Sequence, residues 1–131
     1  MAHREVLSTP YPERVDQSLR MTWKAPDAGG TLVPIPLADV AALTLTLYVE
    51  DAAKTIINSR DDTNILNAGP GTYHATTGLL TIALSAADMQ IVGADSPSAE
   101  IHVALVEMTY GGGKTARQEV QFTVTNLARV P

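Results

Sequence analysis

Short runs in which apolar and polar residues alternate recur along most of this chain. From Leu43 to Val49 every second residue is apolar, and Ser18 to Lys24 shows the same alternation around Trp23. Successive side chains of a β-strand point to opposite faces, so each run predicts a strand with one buried face. Clusters of Gly, Pro, Asn and Asp separate the runs, which is typical of antiparallel strands joined by turns. The sequence therefore predicts an all-β fold.

The second half of the chain carries the pattern of two hairpins. Thr72 to Thr76 and Leu79 to Leu84 flank the turn residues Thr77-Gly78. Farther on, Ala99 to Tyr110 is joined to Thr115 to Thr125 through consecutive glycines, which can adopt positive φ at low cost. Both arrangements predict antiparallel strand pairs that are close in sequence.

The alternation also predicts which side chains are buried. Between the hairpins, Ser85-Ala86-Ala87-Asp88 has the spacing of a capping box, which predicts one short helical turn. The run Ala99 to Tyr110 is apolar on both faces, so this strand is either central in a sheet or covered by another surface. One common core is expected from the inward positions of the strands, namely Trp23, Leu45, Leu47, Ile82 and Phe122.

The length and the number of strands predict one domain. A chain of 131 residues lies near the commonest domain size, roughly 100–150 residues. About seven or eight short strands with turn signals between them favour an immunoglobulin-like antiparallel β-sandwich, which we place at residues 18–127. Residues 1–17, which contain Pro10-Tyr11-Pro12, are expected to form an extended N-terminal arm outside the sandwich. Residues 128–131 are expected to be a C-terminal tail.

Charge and composition exclude several classes of protein. The net charge of −5 argues against a nucleic-acid partner, because duplex binding requires clustered Lys and Arg. The absence of cysteine leaves neither disulfides nor thiolate metal ligands. No run resembles a signal peptide or a membrane span, so we expect no membrane partner and a protein that is made and remains in solution.

The sequence shows no set of residues suited to catalysis or to holding a cofactor. The three histidines, His3, His74 and His102, lack the spacing of a metal site, and no nucleophile motif is present. The acidic pair Asp61-Asp62 follows a turn pattern, where carboxylates ordinarily face solvent. His102 shares a face with Ala104 and Val106 and is the histidine expected to be covered by a partner. We therefore predict no enzyme activity, no cofactor and no metal.

Several segments together resemble a known family. They are the strand at Trp23, Leu43 to Val49, Gly78 to Asp88, the strand ending in Met108-Thr109-Tyr110-Gly111-Gly112, and Val120 to Val124. In this order they resemble the small immunoglobulin-like module of virion proteins of tailed bacteriophages, including the N-terminal domain of baseplate upper proteins. The resemblance spans residues 18–127 and rests on apolar spacing and turns.

The resemblance implies a structural role in a virion. The leading expectation is a capsid decoration or cement protein, made in the host cytoplasm, that binds the major capsid protein in many copies or as a homo-oligomer. The alternatives are a tail, neck or baseplate component and, in another class, a sandwich that binds a small ligand or a carbohydrate. The residues expected to contact a partner lie in the arm and in the doubly apolar strand: Pro10, Tyr11, Pro12, Arg14, Val106, Met108 and Tyr110.

Overall fold

The computed structural model describes residues 3–93 and 99–126. The fold of these residues is all-β, with short 3₁₀ helices at Leu37–Asp39 and Ala86–Met89 and no α-helix in the two ranges. The strands are β1 His3–Val6, β2 Tyr11–Pro12, β3 Gln17–Thr22, β4 Lys24–Pro26, β5 Leu32–Pro34, β6 Val40–Val49, β7 Thr63–Asn64, β8 Gly71–His74, β9 Leu79–Leu84, β10 Ala99–Tyr110 and β11 Lys114–Thr125.

The strands form two main sheets that enclose the core. The larger sheet has the order β1-β11-β10-β6-β7, and β2 also pairs with β11. The smaller sheet has the order β3-β9-β8, while β4 and β5 form a separate hairpin. If β3, β6, β8, β9, β10 and β11 are taken as strands B to G, these orders are those of an immunoglobulin-like sandwich. The predicted fold class is confirmed, and the pairing is antiparallel except where β1 and β2 run parallel to β11.

The β10–β11 hairpin fixes the register of the larger sheet. Tyr110 pairs with Lys114 across the glycines, whose φ angles of 54°, 81° and 116° are in the region that favours glycine. From this turn the register places Ala104 opposite both Val120 and Leu47. All three point inward, because directly paired residues share a face.

The predicted core is confirmed. Trp23, Leu45, Leu47, Ile82 and Phe122 belong to a single buried cluster, and none of the five is more than 2% exposed. Tyr73 also enters this cluster and donates its hydroxyl to the carbonyl of Ile35 at 2.6 Å. The short helical turn is confirmed as well, because Ser85 and Asp88 form a capping box at Ala86–Met89.

The N-terminal segment differs from the prediction. In its described part, His3–Val6 pairs with β11 over four positions, and Tyr11–Pro12 pairs with the end of the same strand. Leu7 packs against the core. The interpretation of residues 1–17 as an arm outside the sandwich is therefore wrong for this part. Prolines do not prevent such pairing at an edge strand, where one side needs no donor.

Some predictions fall outside the residues that the structure describes. They concern residues 1 and 2 at the start of the predicted arm, and the C-terminal boundary at 127 with the tail at 128–131. The segment that joins Trp23 to β6 is rich in Pro and Gly. It contains the β4–β5 hairpin, in which Lys24 pairs with Pro34 and Pro26 with Leu32.

Candidate functional site

The structure separates the partner-binding residues predicted on β10. Val106 and Met108 are 0% exposed and belong to the core cluster. Their selection as contact residues is a wrong prediction, because β10 turns this face toward the smaller sheet. The outward face of β10 carries Ile101, Val103 and Leu105 instead. Successive side chains of a strand point to opposite faces. If the wrong one of its two apolar faces is taken as the outer face, every predicted contact residue on the strand is therefore wrong.

The other predicted contact residues occupy two separate places. Tyr110 is half-buried against the core beside the glycine turn. Tyr11 is also half-buried, and its ring centroid lies 6.0 Å from that of Phe122. Pro12 is half-buried, whereas Pro10 and Arg14 are exposed. The segment from Pro10 to Arg14 therefore offers its two ends to solvent, while Tyr110 lies far along the hairpin from it.

The outer face of the larger sheet carries exposed apolar side chains that the sequence prediction missed. Val6 is 60% exposed, Ile101 42% and Ile56 37%. Val6 and Val103 both pair with Gln121 of β11, and Val103 also pairs with Tyr48 of β6. These residues therefore lie in one cross-strand row. Ile56 joins this row through a bridge to Tyr48. The double apolar pattern of β10 was the available signal for this face.

Polar side chains cover part of the same face. The Arg4 guanidinium donates to Glu119 at 2.7 Å, to Glu50 at 2.6 Å and to Gln121 at 2.9 Å. These hydrogen bonds raise the pKa of Arg4, with Glu119 contributing more than Glu50. At the neighbouring strand, Lys54 Nζ lies 4.8 Å from the ring centroid of Tyr48. The exposed apolar residues are thus bordered by charged groups, as in many protein contact surfaces.

Asp88 anchors a buried polar network in the helical turn that follows β9. Its carboxylate, 0% exposed, accepts hydrogen bonds from Asn58 at 2.8 Å, Arg60 at 3.0 Å and the Ser85 backbone at 2.9 Å. Burial raises the pKa of Asp88, but the hydrogen bonds from Arg60, Asn58 and Ser85 outweigh it, so the pKa is lowered overall. All three donors belong to the chain itself. The network therefore holds the loop at Asn58 against the helical turn.

Glu100 and His102 form a second buried polar pair. His102 Nε2 lies 2.7 Å from Glu100 Oε1, and the carboxylate also accepts from the backbone N–H groups of Val92 at 3.0 Å and Gly93 at 2.8 Å. His102 is 0% exposed and makes an edge contact with Phe122 at 5.7 Å. The histidine is therefore covered by its own chain, whereas a partner was expected to cover it.

The described residues contain no group of histidine, cysteine and acidic side chains that could hold a metal ion. Within the same residues, no helix is long and apolar enough to cross a membrane. The chain matches no family model, no curated protein and no solved structure.

Proposed function

We propose that this protein is a structural component of a tailed-bacteriophage virion, and specifically a capsid decoration or cement protein bound to the head surface in many copies. Two observations support the proposal. The segments of residues 18–127 resemble the immunoglobulin-like virion module, and the strand order is that of an immunoglobulin-like sandwich. Such a protein would be made in the host cytoplasm and incorporated into the particle.

The contact surface in this proposal is the outer face of the larger sheet. Its exposed side chains Val6 and Ile56 lie at the two ends of the row that includes the buried Tyr48 and Val103, and Ile101 lies beside Val103 on β10. Exposed apolar residues that cluster, rather than occurring singly, mark protein interaction sites. This row of apolar residues is the observation that carries the choice of contact surface. In the same proposal, the exposed Pro10 and Arg14 provide a second contact at the end of the sandwich.

A binding assay with purified particles tests the proposed location. The chain is mixed with phage heads that lack it, and separately with isolated tails, and co-sedimentation is measured at increasing concentration. Saturable binding to heads, with a higher temperature of DNA release, is the expected result. Binding to tails alone would place the protein in the tail, neck or baseplate. A chain that binds neither particle would rule out the virion role.

A pair of matched variants tests the proposed surface. Ile101→Asp introduces a charge into the outer face of β10, whereas Leu32→Asp places the same charge on a residue that is 63% exposed in the β4–β5 hairpin. We expect the first variant to reduce head occupancy at least about tenfold and the second to leave it unchanged. The reason is that residues contribute strongly to affinity only where the partner buries them at the centre of the interface. Equal binding by both variants would remove this face from the proposed interface.

A further inference from the structure

The first strand of the smaller sheet has an open edge. Among the described residues, β3 pairs with β9 alone. Beyond its end, Trp23 donates its backbone N–H to the Gly78 carbonyl at 2.7 Å. The alternation of an antiparallel ladder then directs the backbone groups of Leu19 and Met21 toward β9 and those of Ser18, Arg20 and Thr22 away from it. In the described residues, one hydrogen bond from the larger sheet reaches this edge: Gln118 Nε2 donates to the Thr22 carbonyl at 2.8 Å.

A cleft with a mixed polar and apolar lining follows this open edge. Its volume is about 560 Å³, and its apolar lining comes from both sheets and the loop between them: Met21, Trp23, Ile35, Tyr110 and Ala116. A smaller cleft continues it along β3 past Leu19 and reaches Leu7 and Tyr11. The indole Nε1 of Trp23 is buried and has no hydrogen-bond partner in the part of the chain that the structure describes. The cleft beside β3 therefore combines apolar side chains with the unpaired backbone groups of the strand edge.

The rim of the cleft is positively charged, although the chain has a net charge of −5. Its lining includes three basic residues, Arg20, Lys24 and Arg117, and one acidic residue, Glu5. Arg117 is paired with Glu107 at 3.2 Å, whereas Arg20 and Lys24 are exposed and take part in no ion pair among the described residues. Both unpaired cations lie on the outward face of the same edge, since Leu19, Met21 and Trp23 point inward.

We propose that an extended segment of a partner protein binds along β3 as an added strand, with acidic side chains alternating with apolar ones. Its backbone would pair with Ser18, Arg20 and Thr22, its apolar side chains would enter the cleft, and its carboxylates would lie outside against Arg20 and Lys24. Addition of a strand to an exposed sheet edge gives affinity through main-chain hydrogen bonds and specificity through alternate side chains. The proposal does not rest on the virion role.

The charge on β3 also selects against a second copy of the same strand. Antiparallel pairing of two β3 strands would bring Arg20 of each close to the other, and like charges across paired strands are destabilising. The complementary sequence is one in which Glu or Asp alternates with Val, Ile or Leu. Binding of this segment would displace the Gln118 side chain from the Thr22 carbonyl.

A synthetic peptide provides the direct test. The probe is an acetylated and amidated peptide of about nine residues with alternating Glu and Val, long enough to span a typical strand. The control peptide has Lys in place of Glu, and a third peptide has Pro at its centre. Trp23 is the single tryptophan of the chain and lines the cleft, so its fluorescence reports occupancy. Amide exchange by NMR reports pairing at Ser18 and Arg20.

We expect saturable binding of the Glu-Val peptide, with new protection of the Ser18 and Arg20 amides, and at least about fivefold weaker binding of the Lys and Pro peptides. Arg20→Glu combined with Lys24→Glu should reverse the preference between the Glu and Lys peptides. Lys54→Glu, a single charge reversal in the loop after β6, should not. Absence of saturable binding, unchanged amide exchange or equal affinity for the Glu and Lys peptides would each overturn the proposal.

Discussion

The interior of the sandwich is built in two different ways. At its centre, Leu45, Leu47, Ile82 and Phe122 pack among other apolar side chains and have 0 to 1% exposure. Beside the strand ends, three ionisable side chains are buried as completely or nearly so: Asp88, Glu100 and His102. Apolar contact is non-directional, whereas a buried charge needs hydrogen bonds of defined geometry.

The difference shows how each region depends on the rest of the chain. The apolar centre needs only that alternate positions of the strands be apolar, because packing can adjust among similar shapes. The polar region needs particular donors from separate segments, as Asp88 does from Asn58, Arg60 and Ser85. Loss of one partner there leaves another buried group unsatisfied.

The largest expected effect is in the apolar centre. Leu47→Ala should lower the free energy of unfolding by about 2–5 kcal/mol, because it leaves a cavity between the sheets. Thr123→Ala, on the outward face of β11, should change it by less than about 0.5 kcal/mol. Urea denaturation measures both. A larger loss for the Thr123 variant would mean that the faces of the sheet are assigned the wrong way round.

Predictions from the sequence succeeded where the alternation of apolar and polar residues decides the structure. The strands at β3, β6, β9, β10 and β11, the glycine turn and the five core residues all follow from alternation and turn chemistry. The capping box at Ser85 was also predictable, because it depends on residues close in sequence. Local patterns of this kind determined most of the fold class.

The missed features depend on contacts between distant segments. The pairing of His3–Val6 with β11 joins residues more than a hundred positions apart, and the short segment has no alternation long enough to indicate a strand. Likewise, the two faces of β10 are both apolar, so only the register with Leu47 and Val120 decides that Val106 and Met108 point inward. The hydrogen bonds of Asp88 with Asn58 and Arg60 had no sequence signal for the same reason.

A smaller loss is expected from Asp88→Ala in the polar region. The substitution leaves the Ser85 N–H and Asn58 without their acceptor, which should lower the free energy of unfolding by about 1–3 kcal/mol. The loss stays below that of Leu47→Ala because Arg60, at 22% side-chain exposure, can turn to water. Asp61→Ala provides the matched control, since this aspartate is exposed. A loss at Asp88 equal to that of the control would show that the network contributes nothing.

The smallest effect is a pH dependence that arises at His102. Burial lowers the pKa of this histidine below its ordinary value of 6.5, and the neighbouring Glu100 only partly opposes the change. Between the lowered pKa and 6.5 the unfolded chain therefore binds a proton that the folded chain does not. The free energy of unfolding must then fall as the pH falls below 6.5. Above 6.5 both states are neutral at this position, and the dependence disappears.

The variant His102→Gln isolates this effect. Glutamine keeps a donor that can reach the Glu100 carboxylate but does not titrate, so the variant should lose the decline in stability below pH 6.5 while the native chain retains it. His74→Gln, at an exposed position, should leave the decline in place. Urea midpoints measured at half-unit steps from pH 5 to pH 8 decide between them. If the native chain became more stable toward pH 5, the ion pair with Glu100 would outweigh burial, and the polar region would resemble a charged cluster rather than a desolvated one.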